Sequence, residues 1–247
     1  VANGEAAAFF SAGNTAATLI AAHSVFGMIP SVDRPALATT IPTRHRDAVL
    51  LDVGATIDCR PRHLLQFAAM GTVYAERVLG IANPRVGLLS IGEEAIKGNE
   101  LTRDAHHLLS NSDIRFIGNL EARDLYSGDA DVVVCDGFTG NVALKVSEGL
   151  VEVIEDLLRD ELNRTFTTQL GYLLSRRSYR RFRRRVDYSE YGGAPLLGVA
   201  GLAVVGHGRS SVKAVRNALA LTHRFVNEDF VQSIDESMSS LSSERSH

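Results

Sequence analysis

The sequence predicts an α/β sandwich, on three observations. Short aliphatic runs ending in glycine recur along the chain: VLLDVG at 49–54, RVGLLSIG at 85–92, IRFIG at 114–118 and VVVCDG at 132–137. Such runs suit strands buried on both faces of a parallel sheet. Helix-length stretches separate them, at 61–79, about 94–110 and about 139–164, giving a strand–helix–strand rhythm. Finally, 247 residues, 45% hydrophobic and 22% charged, can build a sizeable core, and no linker is long enough to divide it. One domain over 1–232 is expected.

The other elements follow in order. Ser11-Ala-Gly-Asn-Thr15 precedes an apolar helix, Ala16–Phe26. PLLGV (195–199) and LAVVGHG (202–208) read as two more strands, and a helix over 210–231 follows with Ser210 or Ser211 as N-cap. The polar, serine-rich stretch at 233–247 is expected to be a disordered tail.

Composition narrows the function. No run of about 18 apolar residues exists, so no spanning helix is expected. The first ten residues lack the basic start of a signal peptide. Cys59 and Cys135 stand apart from any CxxC or Cys/His cluster, which suits reduced, buried thiols of a cytoplasmic protein and no metal site. A net charge of −3 argues against nucleic-acid binding by the whole protein. One segment departs from that average: residues 172–185 hold seven arginines and no acid, which points to a local anionic partner.

Three strand ends carry polar, glycine-containing loops: 52–58, 92–98 and 135–141. Ligands of open α/β sheets bind beyond the carboxyl ends of strands, so these loops suggest one shared cleft. The start of the Ala16–Phe26 helix, with Ser11, Gly13, Asn14 and Thr15, suits an anion held by backbone N–H groups, or a plain N-cap by Asn14 or Thr15. Asn141 and Lys145 lie four apart on one helix face, where they can hold a phosphate or simply be exposed. Glu93, Glu94 and Lys97 are either acid–base groups or an internal pairing. Asp52 and Asp58 flank Gly54 but make a poor metal site without further ligands. Glycines on both sides of His207 leave an accessible imidazole that titrates near neutrality.

Residues from about 150 to 186 read as a projecting helical hairpin. At 100° per residue, Tyr172, Tyr179, Phe182 and Val186 fall within an arc of about 80°, and all seven arginines lie outside it. Leu158, Leu162, Phe166, Leu170, Leu173 and Leu174 form a second, displaced stripe. The displacement, with Gly171 between, places the turn near Gly171. A basic amphipathic helix suits an anionic membrane surface, with Leu170, Leu173, Leu174, Arg176, Arg177, Arg180, Arg181 and Arg184 in contact. An acidic carrier protein and a solvated packing helix are the rival partners.

Taken together, SAGNTAA, RPALATTIPT, LLDVGATIDCRP, YAERVLGIANPRVGLLSIGEEAIKGNELT, VVVCDGFTGNVALKVSEG and YGGAPLLGV…GHGRSS resemble the PlsX phosphate acyltransferase family, from about Ser11 to Ser211. The resemblance implies a three-layer α/β/α sandwich similar to isocitrate dehydrogenase and phosphotransacetylase, and a homodimer. It implies transfer of a fatty acyl group from acyl carrier protein to inorganic phosphate, giving acyl phosphate for bacterial phospholipid synthesis, with no cofactor. The implied location is cytoplasmic and peripheral to the membrane, with the product handed to a membrane glycerol-3-phosphate acyltransferase. It also implies an N-terminal section, with an Asp- and Gly-rich strand-end loop, that this sequence does not include. Ala16, Thr56 and Ser90 stand where the family usually has Gly, Asn and Asn. On the resemblance and the chemistry, Ser11, Gly13, Asn14, Thr15, Asn141 and Lys145 hold phosphate. His207 polarises the carbonyl or protonates sulfur, and Asp52, Asp58 and Asp136 position these groups. Two alternatives stay open: a phosphotransacetylase-like enzyme using acyl-CoA, and an inactive membrane-associated binding protein.

Overall fold

A computed structural model describes residues 1–186, 192–208 and 210–243. Among them run β1 (Phe9–Ser11), α1 (Thr15–Phe26), β2 (Ala36–Ile41), β3 (Ala48–Leu51), α2 (Pro61–Arg77), β4 (Val86–Ser90), α3 (Glu100–Ser110) and β5 (Phe116–Glu121). A 3₁₀ turn (Ala122–Tyr126), β6 (Val132–Val134), α4 (Gly137–Asn163), α5 (Phe166–Val186), β7 (Ala194–Leu197), β8 (Ala203–Val205), α6 (Val212–Asn227) and α7 (Phe230–Ser243) follow. The strands form one sheet in the order β1-β8-β7-β2-β3-β6-β4-β5.

The four runs that read as parallel strands pair in parallel, while the sheet as a whole is mixed. β3, β6, β4 and β5 run parallel, Leu50 opposite Val133 and Gly87 opposite Val133 on the other side. β2 pairs antiparallel with β3 and β7, and β7 antiparallel with β8, which lies parallel to β1. β2 links the two halves, and no sequence signal marked it as a strand.

Strand residues alternate between two cores, as period two requires. Val49, Leu51, Val132, Val134 and Val204 pack under α2, α3, α6 and α7. Leu50, Val133, Cys135, Ala203 and Val205 face the opposite side, with Leu19 of α1 and Leu144 of α4. Helix layers on both faces make the three-layer sandwich. Asp131, buried at the start of β6, accepts from Arg46 and Arg85 at 2.8–3.0 Å and ties β6 to β4. Burial opposes its charge, but the Arg85 hydrogen bonds outweigh that and hold the carboxyl below its usual range.

Two boundaries differ from expectation. The stretch from 230 to 243, expected as tail from 233 onward, is α7, and it packs on α2. Phe230, Ile234 and Met238 recur every fourth residue and are 1–2% exposed. Three such side chains contribute about 1.5–3 kcal/mol each, which the serine-rich composition concealed. Residues 244–247 lie outside the described residues. The hairpin turns at Arg164–Thr165, not at Gly171, which sits inside α5. Thr165 and Thr168 each accept the other's backbone N–H, at 3.1 and 3.2 Å, a reciprocal cap that starts the second helix there.

Candidate active site

A cavity of about 940 Å³ lies on the sheet face shared by α1 and α4. Its floor is β2, β7 and β8, through Leu37, Thr39, Ile41, Ala194 and Val205. α4 forms one wall, and Phe182, Arg185 and Val186 of α5 close the far end. Arg185 holds α5 there by donating to the carbonyls of Thr43 and Arg44, at 2.8 and 2.7 Å. Arg183 pairs with Glu155 of α4 at 3.3 Å.

The start of α4 is built on contact between backbones. Asp136 is its N-cap, accepting from Thr139 N at 2.9 Å and Thr139 Oγ1 at 2.7 Å. Gly137 N donates to Thr56 O at 2.9 Å. Gly54, with φ 129, lies against Asn141. A positive φ of that size is strained for any side-chain-bearing residue.

Further along, α4 brings Lys145 and Glu148 together with His207. Lys145 Nζ donates to Glu148 Oε2 at 2.8 Å, and His207 Nε2 lies 3.2 Å from Glu148 Oε1. Burial works against ionising Glu148, but hydrogen bonds from His207 and Lys145 prevail and hold its carboxyl below the usual range. Asn141, Lys145, Glu148 and His207 all line the cavity. Glu148 was missed from sequence, although its position three residues beyond Lys145 puts it on the same face.

Other sequence candidates take different places. Thr15 lines the cavity with Ala16, but Ser11, Gly13 and Asn14 do not. Ser11 Oγ accepts from Gly13 N and Thr18 Oγ1, each at 3.2 Å, and Asn14 caps α1 by accepting from Ala17 N at 3.0 Å. Asp52 is wholly buried and accepts from the backbone of Leu37, Gly54, Ala55 and Thr56. Burial pushes its carboxyl up to about 6 against those donors. It shapes the loop after β3 and offers no oxygen to a ligand. Asp58 is exposed away from the cavity, and Asp136 is spent on its cap. Asp52 and Asp136 are thus directed at backbone and cap partners, and Asp58 is not among the residues lining the cavity.

Of the three loops expected to share a cleft, those at 52–58 and 135–141 line it. The loop at 92–98 does not. There Asn119 Nδ2 donates to Glu94 O at 2.9 Å. Tyr191 and Arg209, at the edges of two quoted motifs, lie outside the described residues. Burial, with help from Asp52 and Asp136, pushes the Cys59 thiol up to about 12, and burial likewise raises the Cys135 thiol well above its usual value. Neither is poised as a nucleophile. Among the described residues, no group of His, Cys, Asp and Glu is placed to hold a metal ion.

The seven arginines divide. All seven are exposed, but Arg183 is paired with Glu155 and Arg185 with the Thr43 and Arg44 carbonyls, whereas Arg176, Arg177, Arg180, Arg181 and Arg184 carry no acidic partner among the salt bridges of the described residues. The Tyr172–Val186 stripe reaches the cavity at its C-terminal end. Tyr172 and Tyr179 meet edge-to-face at 5.2 Å, and Phe182 and Val186 line the cavity. The outward apolar residues of α5 are Phe166, Leu170, Leu173 and Leu174, 48–81% exposed. Among the described residues no helix is long and apolar enough to cross a membrane.

The model of a family described as "Fatty acid synthesis protein" matches residues 1–233. The chain is 48% identical over 238 residues to a phosphate acyltransferase of Geotalea uraniireducens, covering 96% of this chain and 69% of that one. It is 50% identical over 241 residues to a phosphate acyltransferase of Citrifermentans bemidjiense, covering 96% and 68%. It thus spans about two thirds of these relatives' length. A phosphotransacetylase from Streptococcus pyogenes superposes with a TM-score of 0.62 at 17% identity, covering 92% of this chain and 65% of that one, which bears on fold alone. A likeness that runs through α4 and the strand ends around the cavity makes the chain a member of the phosphate acyltransferase family.

Proposed function

We propose that the protein transfers a fatty acyl group from acyl carrier protein to inorganic phosphate at the α4 cavity. The observation that carries this is the Lys145–Glu148–His207 cluster, set at one end of a largely apolar chamber. A phosphate oxygen attacks the thioester carbonyl, and the tetrahedral adduct collapses with cleavage of the C–S bond. Phosphate is anionic at neutral pH, so positioning matters more than a strong base. Lys145 and Asn141, with Thr15 opposite, hold the anion. His207, hydrogen-bonded to Glu148, gives a proton to the departing sulfur. That thiol has a pKa near ~8.5, so modest acid help suffices. The test is to incubate palmitoyl carrier protein, or palmitoyl-CoA, with phosphate and trap acyl phosphate with hydroxylamine. Product from the carrier protein is expected. Product from CoA alone would favour a phosphotransacetylase-like enzyme, and none from either an inactive binding protein.

The exposed arginines, beside Phe166, Leu170, Leu173 and Leu174, support docking on an anionic membrane, at about 1 kcal/mol per well-placed arginine. That location would place the acyl phosphate beside a membrane glycerol-3-phosphate acyltransferase. Co-sedimentation with vesicles should require anionic lipid, weaken with salt, and disappear when Arg180, Arg181 and Arg184 become Glu. Equal binding to neutral vesicles, or none at low salt, would leave the carrier protein as the partner of α5. On the outer side of α4, Val142, Val146, Val153 and Leu157, with Leu150 that also lines the cavity, fall within an arc of about 80° and are 45–65% exposed. This stripe supports a homodimer in which a second copy covers it.

A further inference from the structure

We infer that the part of the cavity between Glu148 and α5 is the binding tunnel for the acyl chain, ending at Phe182. This rests on the acyl transfer proposed above. The polar lining of α4 is confined to its first half, where Asn141, Lys145, Ser147 and Glu148 stand beside Phe138 and Leu144; beyond Glu148 the lining is Leu150, Val151 and Ile154. Ile41 and Pro42 at the end of β2, and Phe182 and Val186 of α5, supply the facing apolar walls. A ligand filling this space carries a polar, reacting head and an unbranched apolar tail.

The dimensions agree. From Lys145 to Ile154 α4 rises about 13–14 Å, at ~1.5 Å per residue. Carbon–carbon bonds of ~1.5 Å, laid in a zigzag, put about ten or eleven carbons in that span. A longer chain reaches past Ile154 to Phe182, whose ring is about half exposed at the far end. At roughly 30 Å³ per carbon, about a water's share of volume, a palmitoyl chain takes about half of the cavity. The remainder accommodates the thioester and phosphate. Phe182 therefore sets the chain length that is held, and each methylene kept out of the tunnel costs about fourfold in affinity.

The protein contains no tryptophan, so Phe182→Trp installs a single reporter at the proposed methyl end. Its fluorescence is titrated with two palmitates, one brominated near the methyl end and one beside the carboxyl. Stronger quenching by the methyl-end bromine is expected. Leu174→Trp, on the 81%-exposed outer face of α5, should show weak quenching that does not depend on bromine position. Equal, reversed or absent quenching at position 182 would overturn the tunnel. Should Phe182→Trp not fold, Ile154→Trp places the reporter on the opposite wall with the same expectation. Quenching does not require turnover. If it fails while wild-type protein still forms acyl phosphate, only the tunnel falls. If quenching succeeds and no acyl phosphate forms, the chain site stands and the acyl-transfer reading falls.

Discussion

Replacing Gly140 by alanine should lower the unfolding temperature by about 2–8 °C, whereas the same change at Gly149, two and a half turns along the same helix, should raise it slightly. A β-carbon at Gly140 would stand 1.9 Å from the carbonyl oxygen of Asp52 and 2.8 Å from Cys135 Sγ. Its nearest neighbour is backbone, so no side-chain rotation relieves the clash. α4 must move off the loop after β3, or β3 must distort. Overpacking of this kind costs about 1–3 kcal/mol, occasionally more, and here exceeds the ~1 kcal/mol by which alanine outperforms glycine within a helix. At Gly149 an added β-carbon meets nothing within 4 Å, so only the helix-propensity gain remains. Thermal unfolding followed by circular dichroism decides, and a shift of the same sign in both variants would refute the close-packing account. Activity should fall with stability at Gly140, because the displaced turn of α4 carries Asn141 and the helix holding Lys145 and Glu148.

What the sequence disclosed, and what it hid, follows from the range of each interaction. β3, β4, β6, α2 and the body of α4 were legible because each is a continuous run whose composition declares its burial. β2 was not: Ala36–Ile41 is small and threonine-rich, and it is held as a strand between β3, which follows it closely, and β7, which lies more than 150 residues further on. The same limit affected the site. Asn141 and Lys145 were visible from helical spacing alone. The meeting of His207 with Glu148 joins residues 59 positions apart and depends on β8 running opposite to β3 and β6. The aspartates misled because a carboxylate after a strand looks alike whether it faces a ligand or, like Asp52, four backbone amides. α5 misled in the reverse direction. Its aromatic stripe is amphipathic by any count, but periodicity says only that one face is covered, not that α4 and the cavity cover it.

Changing His207 to glutamine should reduce turnover by roughly 10²–10⁴-fold with the fold intact, the usual range for a lost acid–base group. The imidazole side chain is 49% exposed, so little core packing is lost. Glutamine keeps a hydrogen-bond donor for Glu148 but cannot pass a proton to sulfur. Loss below about threefold would remove His207 from the chemistry. Glu148→Gln separates positioning from structure. Hydrogen bonds from His207 and Lys145 hold Glu148 ionised, so its contribution is present above the ordinary carboxylate range and fades as pH falls through its lowered value. At neutral pH the substitution therefore removes a negative charge beside the imidazole and the Lys145 ammonium. If the carboxylate orients His207, kcat should fall in Glu148→Gln by a larger factor than KM rises. A carboxylate serving only to pack α4 against β8 would lower stability and leave kcat unchanged. An unchanged kcat together with unchanged stability would exclude Glu148 from the site, whatever became of His207.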